Sequence, residues 1–124
     1  MRIPTFTLSV TASLKRTRFY FAMNYKSKRW QRLRARVLKR DDYMCQWSKR
    51  FGRRVEADTV HHVFPAEIYP EYQWCEWNLV SLARDVHNAM HDRDSHELTA
   101  DGKKLQEIIC RKKNIYPRPS RRDD

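Results

Sequence analysis

At 124 residues and 15.1 kDa, with 33% charged residues and a mean hydropathy of -0.91, the chain has room for one domain with a modest core under a large polar surface. Its 40% hydrophobic content, with 4 Trp, 6 Tyr and 5 Phe, excludes a fully disordered chain. Its 2 glycines exclude a Gly-rich phosphate loop, and no apolar run reaches the roughly 18 to 20 residues of a membrane span. The net charge is +11, and the excess lies in residues 1–40, which hold twelve Lys or Arg and no Asp or Glu, so a polyanion such as nucleic acid is the natural partner.

Residues 1–24 read as a poorly determined, disordered leader. The apolar stretch is diluted by Thr and Ser and broken by Lys15 and Arg16, which argues against an export signal, and Met23 is a candidate start. An amphipathic helix is predicted over 26–40, with Trp30, Leu33, Val37 and Leu38 on one stripe, Ser27 as its cap and Asp41-Asp42 as its stop. Its other faces are basic, and Lys26, Lys28, Arg29, Arg32 and Arg36 are the candidate DNA-binding residues. Residues 43–62 read as two short extended pieces around a turn near Lys49–Arg53. Pro65 and Pro70 then bracket an irregular aromatic loop, followed by a brief strand over 77–81. The run LARDVHNAMHDR reads as a helix with Leu82, Val86 and Met90 on one side. A last helix over about 100–113, capped by Thr99 or Asp101, carries Leu105, Ile108, Ile109 and Lys112. The tail 114–124 is expected to be disordered. Cys45, Cys75 and Cys110 form no CxxC pair and fit a reduced intracellular compartment.

All five histidines lie between positions 61 and 96. His87 and His91, at i and i+4 on the predicted helix, can reach one cation from one face. His61 and His62 are adjacent on an extended segment, so their rings point to opposite sides and play different parts. A helix with two ligands and a strand end with a third make an open metal site, of the kind that leaves positions for water or substrate. A lone HxxxH is often ordinary helix surface; the two pairs together on a basic chain weigh more. Asn88 stands where a metalloprotease HExxH would place its glutamate, so that reading lacks a base. A thiolate-rich structural site lacks its cysteine spacing. Phosphodiester hydrolysis fits best, because it needs a cation beside the phosphate and a base whose pKa suits neutral pH.

The run Thr59-Val-His-His-Val-Phe-Pro65, then Trp77-Asn78-Leu-Val-Ser-Leu82, then His87-Asn-Ala-Met-His91, resembles the HNH endonuclease motif in order and spacing. The preceding YKSKRWQRLRARVLKRDDYMCQ resembles the segment that leads into this motif in small phage and prophage HNH proteins, so the likeness covers residues 25–113. The resemblance implies a small α+β chain with a ββα-metal core, flanked by the basic helix and a C-terminal helix. It implies one divalent ion (Mg, Mn, Ni or Zn) held by His61, His87 and His91, with His62 as the general base. Asn78 then holds the loop and base in register, and Arg84 or Arg93 steadies the phosphate unless both are simply solvated. Many relatives add two CxxC pairs for a structural zinc. Here Ser48, Ala83 and Val86 occupy three of those positions beside Cys45, so no structural zinc is expected, and apolar packing by Trp47, Leu82, Val86 and the aromatic loop replaces it. Cys75 and Cys110 read as buried small hydrophobes. The implied activity is metal-dependent nicking or double-strand cleavage of DNA in the cytoplasm of a bacterial host, and the resemblance further suggests the phage packaging terminase as a partner and no membrane. The rivals are an inactive nucleic-acid-binding module of the same fold and a ribonuclease.

Overall fold

The computed structural model describes residues 23–114. Apart from residues 23, 24 and 114, the expected leader and tail lie outside the described residues. The first helix, α1 (Lys28–Arg40), starts at Ser27, whose hydroxyl accepts the Trp30 backbone N–H at 3.1 Å. It buries Trp30, Leu33, Val37 and Leu38, the four residues of the predicted stripe. It stops at Asp41, after which Asp42 and Tyr43 take positive φ and turn the chain back.

The next segment departs in part from the expected pair of extended pieces. Its second piece is present as a strand over Thr59–His62, whereas Gln46–Lys49 form a one-turn helix, α2, and the first piece contributes only an isolated bridge between Met44 and Glu56. The reason is burial at helical spacing: Cys45 is fully buried and Ser48, three residues on, nearly so, with the Ser48 hydroxyl donating to Cys45 Sγ at 3.4 Å. Ala83 belongs to the same core cluster as Cys45, and Val86 packs against it.

Strands β1 (Thr59–His62) and β2 (Leu79–Leu82) form an antiparallel pair with Thr59 opposite Leu82 and His62 opposite Leu79. The second strand begins later than expected, because 3-10 turns at Pro70–Tyr72 and Glu76–Asn78 shape the intervening loop. Strand alternation splits the sheet between two cores. Val60, Leu79 and Ser81 face α1, where Val60 and Leu79 join Trp30, Leu33 and Val37, and the Ser81 hydroxyl donates to the Val37 carbonyl at 3.4 Å. Val80 and Leu82 join the second core, with Val63, Phe64, Met90, Leu105 and Ile109. The aromatic loop closes over it, its Tyr69, Tyr72 and Trp77 rings all within 6.2 Å of Phe64.

Helix α3 spans only Arg84–Asn88, so His91 lies beyond it, in a bridge with Leu98, rather than on a continuous helix with His87. The cause is competition for the carbonyls that would extend it. The Thr99 hydroxyl donates to Ala89 O at 2.8 Å and the Thr99 N–H to Met90 O at 2.9 Å. Thr99 also caps α4 (Ala100–Lys113), accepting the Gly102 N–H at 3.3 Å, while Leu105 and Ile109 anchor that helix in the core. Ile108 is half-buried and Lys112 exposed. Cys75 and Cys110 are also half-buried rather than buried, and the three cysteines are free. Among the described residues no helix is long and apolar enough to cross a membrane.

Candidate metal centre and cleft

A single cleft of about 790 Å³ is lined by all five histidines. His61 and His62, neighbours in β1, enter it from opposite faces of the sheet. His61 turns towards α3, its ring centroid 5.1 Å from that of His87 and 5.4 Å from that of His91. One ligand atom from each of these three imidazoles lies within 4.8 Å of the other two, so a single ion can be shared among them even though α3 ends before His91.

The chemistry of this donor set fits a cation. His61 is buried to 1% exposure, and among the described residues its Nε2 has no hydrogen-bond partner, an uncompensated polar atom that costs about 1–3 kcal/mol unless something satisfies it. Burial, then the neighbouring imidazoles His87 and His91, hold the His61 pKa well below the ordinary histidine value; burial followed by His91 lowers that of His87. Neutral imidazoles with free lone pairs are what a metal requires.

His62 is placed differently. Its ring stacks on Trp30 at 5.4 Å with 19° between planes, and Tyr25 approaches edge-on at 6.3 Å. Its Nε2 lies 3.0 Å from the Gln73 carbonyl. A carbonyl only accepts, so Nε2 carries the proton and Nδ1 keeps the lone pair. Burial lowers the His62 pKa, partly opposed by that hydrogen bond.

Asn78 is fully buried at the end of the Glu76–Asn78 turn, immediately before β2. Its Oδ1 accepts the Phe64 N–H at 2.7 Å, and its Nδ2 donates to the carbonyls of Phe64 at 3.0 Å and Tyr72 at 3.1 Å. It thereby ties the two ends of the loop that follows His62, the loop that also supplies the Gln73 carbonyl.

The basic residues of α1 are less free than its sequence suggests. Arg29 stacks over Trp74 at 3.8 Å and Arg36 pairs with Glu76 at 2.9 Å, whereas Lys26, Lys28 and Arg32 are exposed. Among the described residues lining the cleft, Arg34 is the one Lys or Arg; Arg84 and Arg93 are not part of it. The Arg34 Nη2 donates to the Asp58 carbonyl at 2.7 Å, one residue before β1. Sequence reasoning passed over Arg34 among the five arginines of α1. The signal that marks it is its place one turn beyond Trp30, the residue against which His62 stacks.

No protein-family model and no curated protein matches the chain. Among solved structures it is similar to the HNH endonuclease of the deep-sea thermophilic bacteriophage GVE2, crystallised with a manganese ion. The two are 24% identical with a TM-score of 0.58, over 82% of this chain and 95% of that one. The likeness in shape and the order of histidines and asparagine along the sequence lead to one conclusion, that this chain has the ββα-metal fold of an HNH endonuclease.

Proposed function

We propose that the chain is a divalent-metal-dependent endonuclease that hydrolyses phosphodiester bonds in DNA. The observation that carries this reading is the convergence of His61, His87 and His91 around an orphaned buried Nε2, in the cleft that also receives His62. The manganese ion of the GVE2 enzyme supports a divalent cation, and the +11 charge supports a nucleic-acid substrate.

His61, His87 and His91 would hold the ion, which supplies charge neutralisation at the scissile phosphate and its leaving oxygen. The residues of the chain do the rest. The Gln73 carbonyl holds the His62 proton on Nε2, and the lowered pKa keeps His62 neutral near pH 7, so that Nδ1 accepts a proton from the attacking water. Stacking on Trp30 restrains the ring so that the base keeps one orientation. Asn78 keeps the Gln73 loop in register with β1 and acts through His62 rather than on substrate. Arg34 donates to a phosphate oxygen from the cleft wall.

The test is incubation of the full chain with supercoiled plasmid and with single-stranded RNA, in Mg²⁺, Mn²⁺ or Ni²⁺ and in EDTA. Conversion of plasmid to nicked or linear DNA that EDTA stops is the expected result. DNA left intact in every metal, with retained binding, overturns the enzyme; degradation of RNA alone overturns the substrate.

A further inference from the structure

The turn that follows α2 is the most concentrated basic feature outside the cleft. Lys49, Arg50, Arg53 and Arg54 fall within six residues, and no Asp or Glu occurs between Cys45 and Val55. All four are exposed, and among the described residues none of the four is in an ion pair. On α1, Arg29, Arg34, Arg36 and Arg40 are engaged with Trp74, the Asp58 carbonyl, Glu76 and Asp41, and the exposed Lys28, Arg32 and Lys39 are spread along 12 residues rather than gathered in one turn.

The turn is also closed by its own backbone hydrogen bonds. Gly52 sits at φ 75 and donates to Lys49 O at 3.0 Å, while the Arg53 N–H reaches back to Ser48 O at 3.2 Å, a Schellman closure of α2. Phe51 is 60% exposed, yet its ring leans on Trp47 at 5.9 Å, and the Arg50 guanidinium lies over Trp47 at 5.0 Å and Phe51 at 5.4 Å. The turn thus sets the exposed Phe51 ring beside four cations that form no ion pair among the described residues. It suits a surface that offers phosphates to the cations and sugar or base faces to the ring.

The base of the turn is fastened to the strand that carries the histidines. Cys45 N–H donates to Val55 O at 2.7 Å and Ala57 N–H to Tyr43 O at 2.8 Å, and two residues later the chain enters β1. We infer that the Lys49–Arg54 turn is a second DNA-backbone contact, a fixed spur that binds duplex phosphates away from the scissile one and holds the duplex in register with His61 and His62. This inference rests on the nuclease reading above. The ligand is double-helical DNA; an acidic protein surface is the competing occupant.

The experiment measures anisotropy of a short labelled duplex bound to the full chain, with EDTA present to suppress cleavage, across a salt series. The double variant Arg53→Gln/Arg54→Gln is compared with Lys112→Gln/Lys113→Gln, which removes the same charge from exposed positions at the end of α4. The turn variant is expected to bind about tenfold more weakly near 0.1 M salt and to lower the slope of log K against log salt by about 2. The α4 variant should bind like the wild type. A turn variant that binds duplex with the wild-type affinity and slope overturns the inference, as does an equal loss in the α4 variant, which would mean a general field effect. Those outcomes leave the nuclease reading standing, whereas a wild-type chain with no affinity for duplex DNA overturns both.

Discussion

The two faces of the β1–β2 pair carry adjacent histidines in opposite chemical conditions. On the α3 side, buried His61 meets two half-buried imidazoles, and among the described residues its Nε2 has no hydrogen-bond partner. On the α1 side, His62 is stacked on Trp30 and hydrogen-bonded to the Gln73 carbonyl. One face is therefore incomplete and calls for an electrophile. The other is complete and leaves a single lone pair, on Nδ1. Two identical side chains, one residue apart, thus acquire different capacities from strand alternation and what each face packs against.

The largest effects should come from breaking the incomplete face. His61→Ala removes one of the three proposed ligands, and Mn²⁺ affinity by calorimetry should fall more than a hundredfold, with DNA cleavage lost alongside it. His61→Leu offers a finer version. It should lose metal affinity equally, but its metal-free form should melt no lower than the metal-free wild type, because a buried unsatisfied nitrogen has been replaced by an apolar side chain. A large drop in that metal-free melting temperature would mean that His61 has a partner in the folded protein.

Breaking the complete face should separate rate from metal binding. His62→Ala should slow cleavage by about 10²–10⁴-fold while leaving Mn²⁺ and DNA affinity near wild type. Normal cleavage by this variant would remove His62 from the role of base. Asn78→Ala, which strands the Phe64 and Tyr72 backbone groups in the interior, should cost about 3 kcal/mol in urea unfolding.

Acid should act on both faces of the metal-free protein. The pKa values of His61, His62 and His87 are lowered in the fold, chiefly by burial, so below about pH 6.5 the unfolded chain binds more protons than the folded one. Stability contributed by these groups is complete above pH 6.5 and is lost as the pH falls through their folded values. Thermal melting in EDTA should therefore drop between neutral pH and pH 5, and Mn²⁺ should counter the drop while the histidines remain neutral; a flat profile would contradict the burial of these rings. The smallest effect expected is that of Arg34→Ala, about a fivefold weakening of DNA binding with metal affinity unchanged.

Much of this was legible in the chain itself. The stripe Trp30, Leu33, Val37 and Leu38 and the Ser27 cap set the course of α1, since both are local and periodic. The adjacent pair His61-His62 could be assigned to opposite sides from the two-residue repeat of a strand alone. The i, i+4 spacing of His87 and His91 pointed to a shared cation for a reason the fold does not use. The rings meet across a helix end, because Thr99, ten residues beyond Ala89, takes the carbonyls that a longer helix would have needed. A long-range hydrogen bond of this kind leaves no periodic trace. The one-turn helix at Gln46–Lys49 escaped for a similar reason, its winding being set by how Cys45 and Ser48 enter the core.

By itself the sequence determined which side chains are available, their charge, and the alternation that separates His61 from His62, because these depend on residue identity and backbone repeat over a few positions. Tertiary structure alone decided that His61 Nε2 lacks a hydrogen-bond partner among the described residues, that Gln73 selects the His62 tautomer, and that Arg34 rather than Arg84 or Arg93 reaches the cleft. Each of those outcomes depends on which distant backbone group or helix face arrives within about 3 Å of a nitrogen, and only packing of the whole chain fixes that distance.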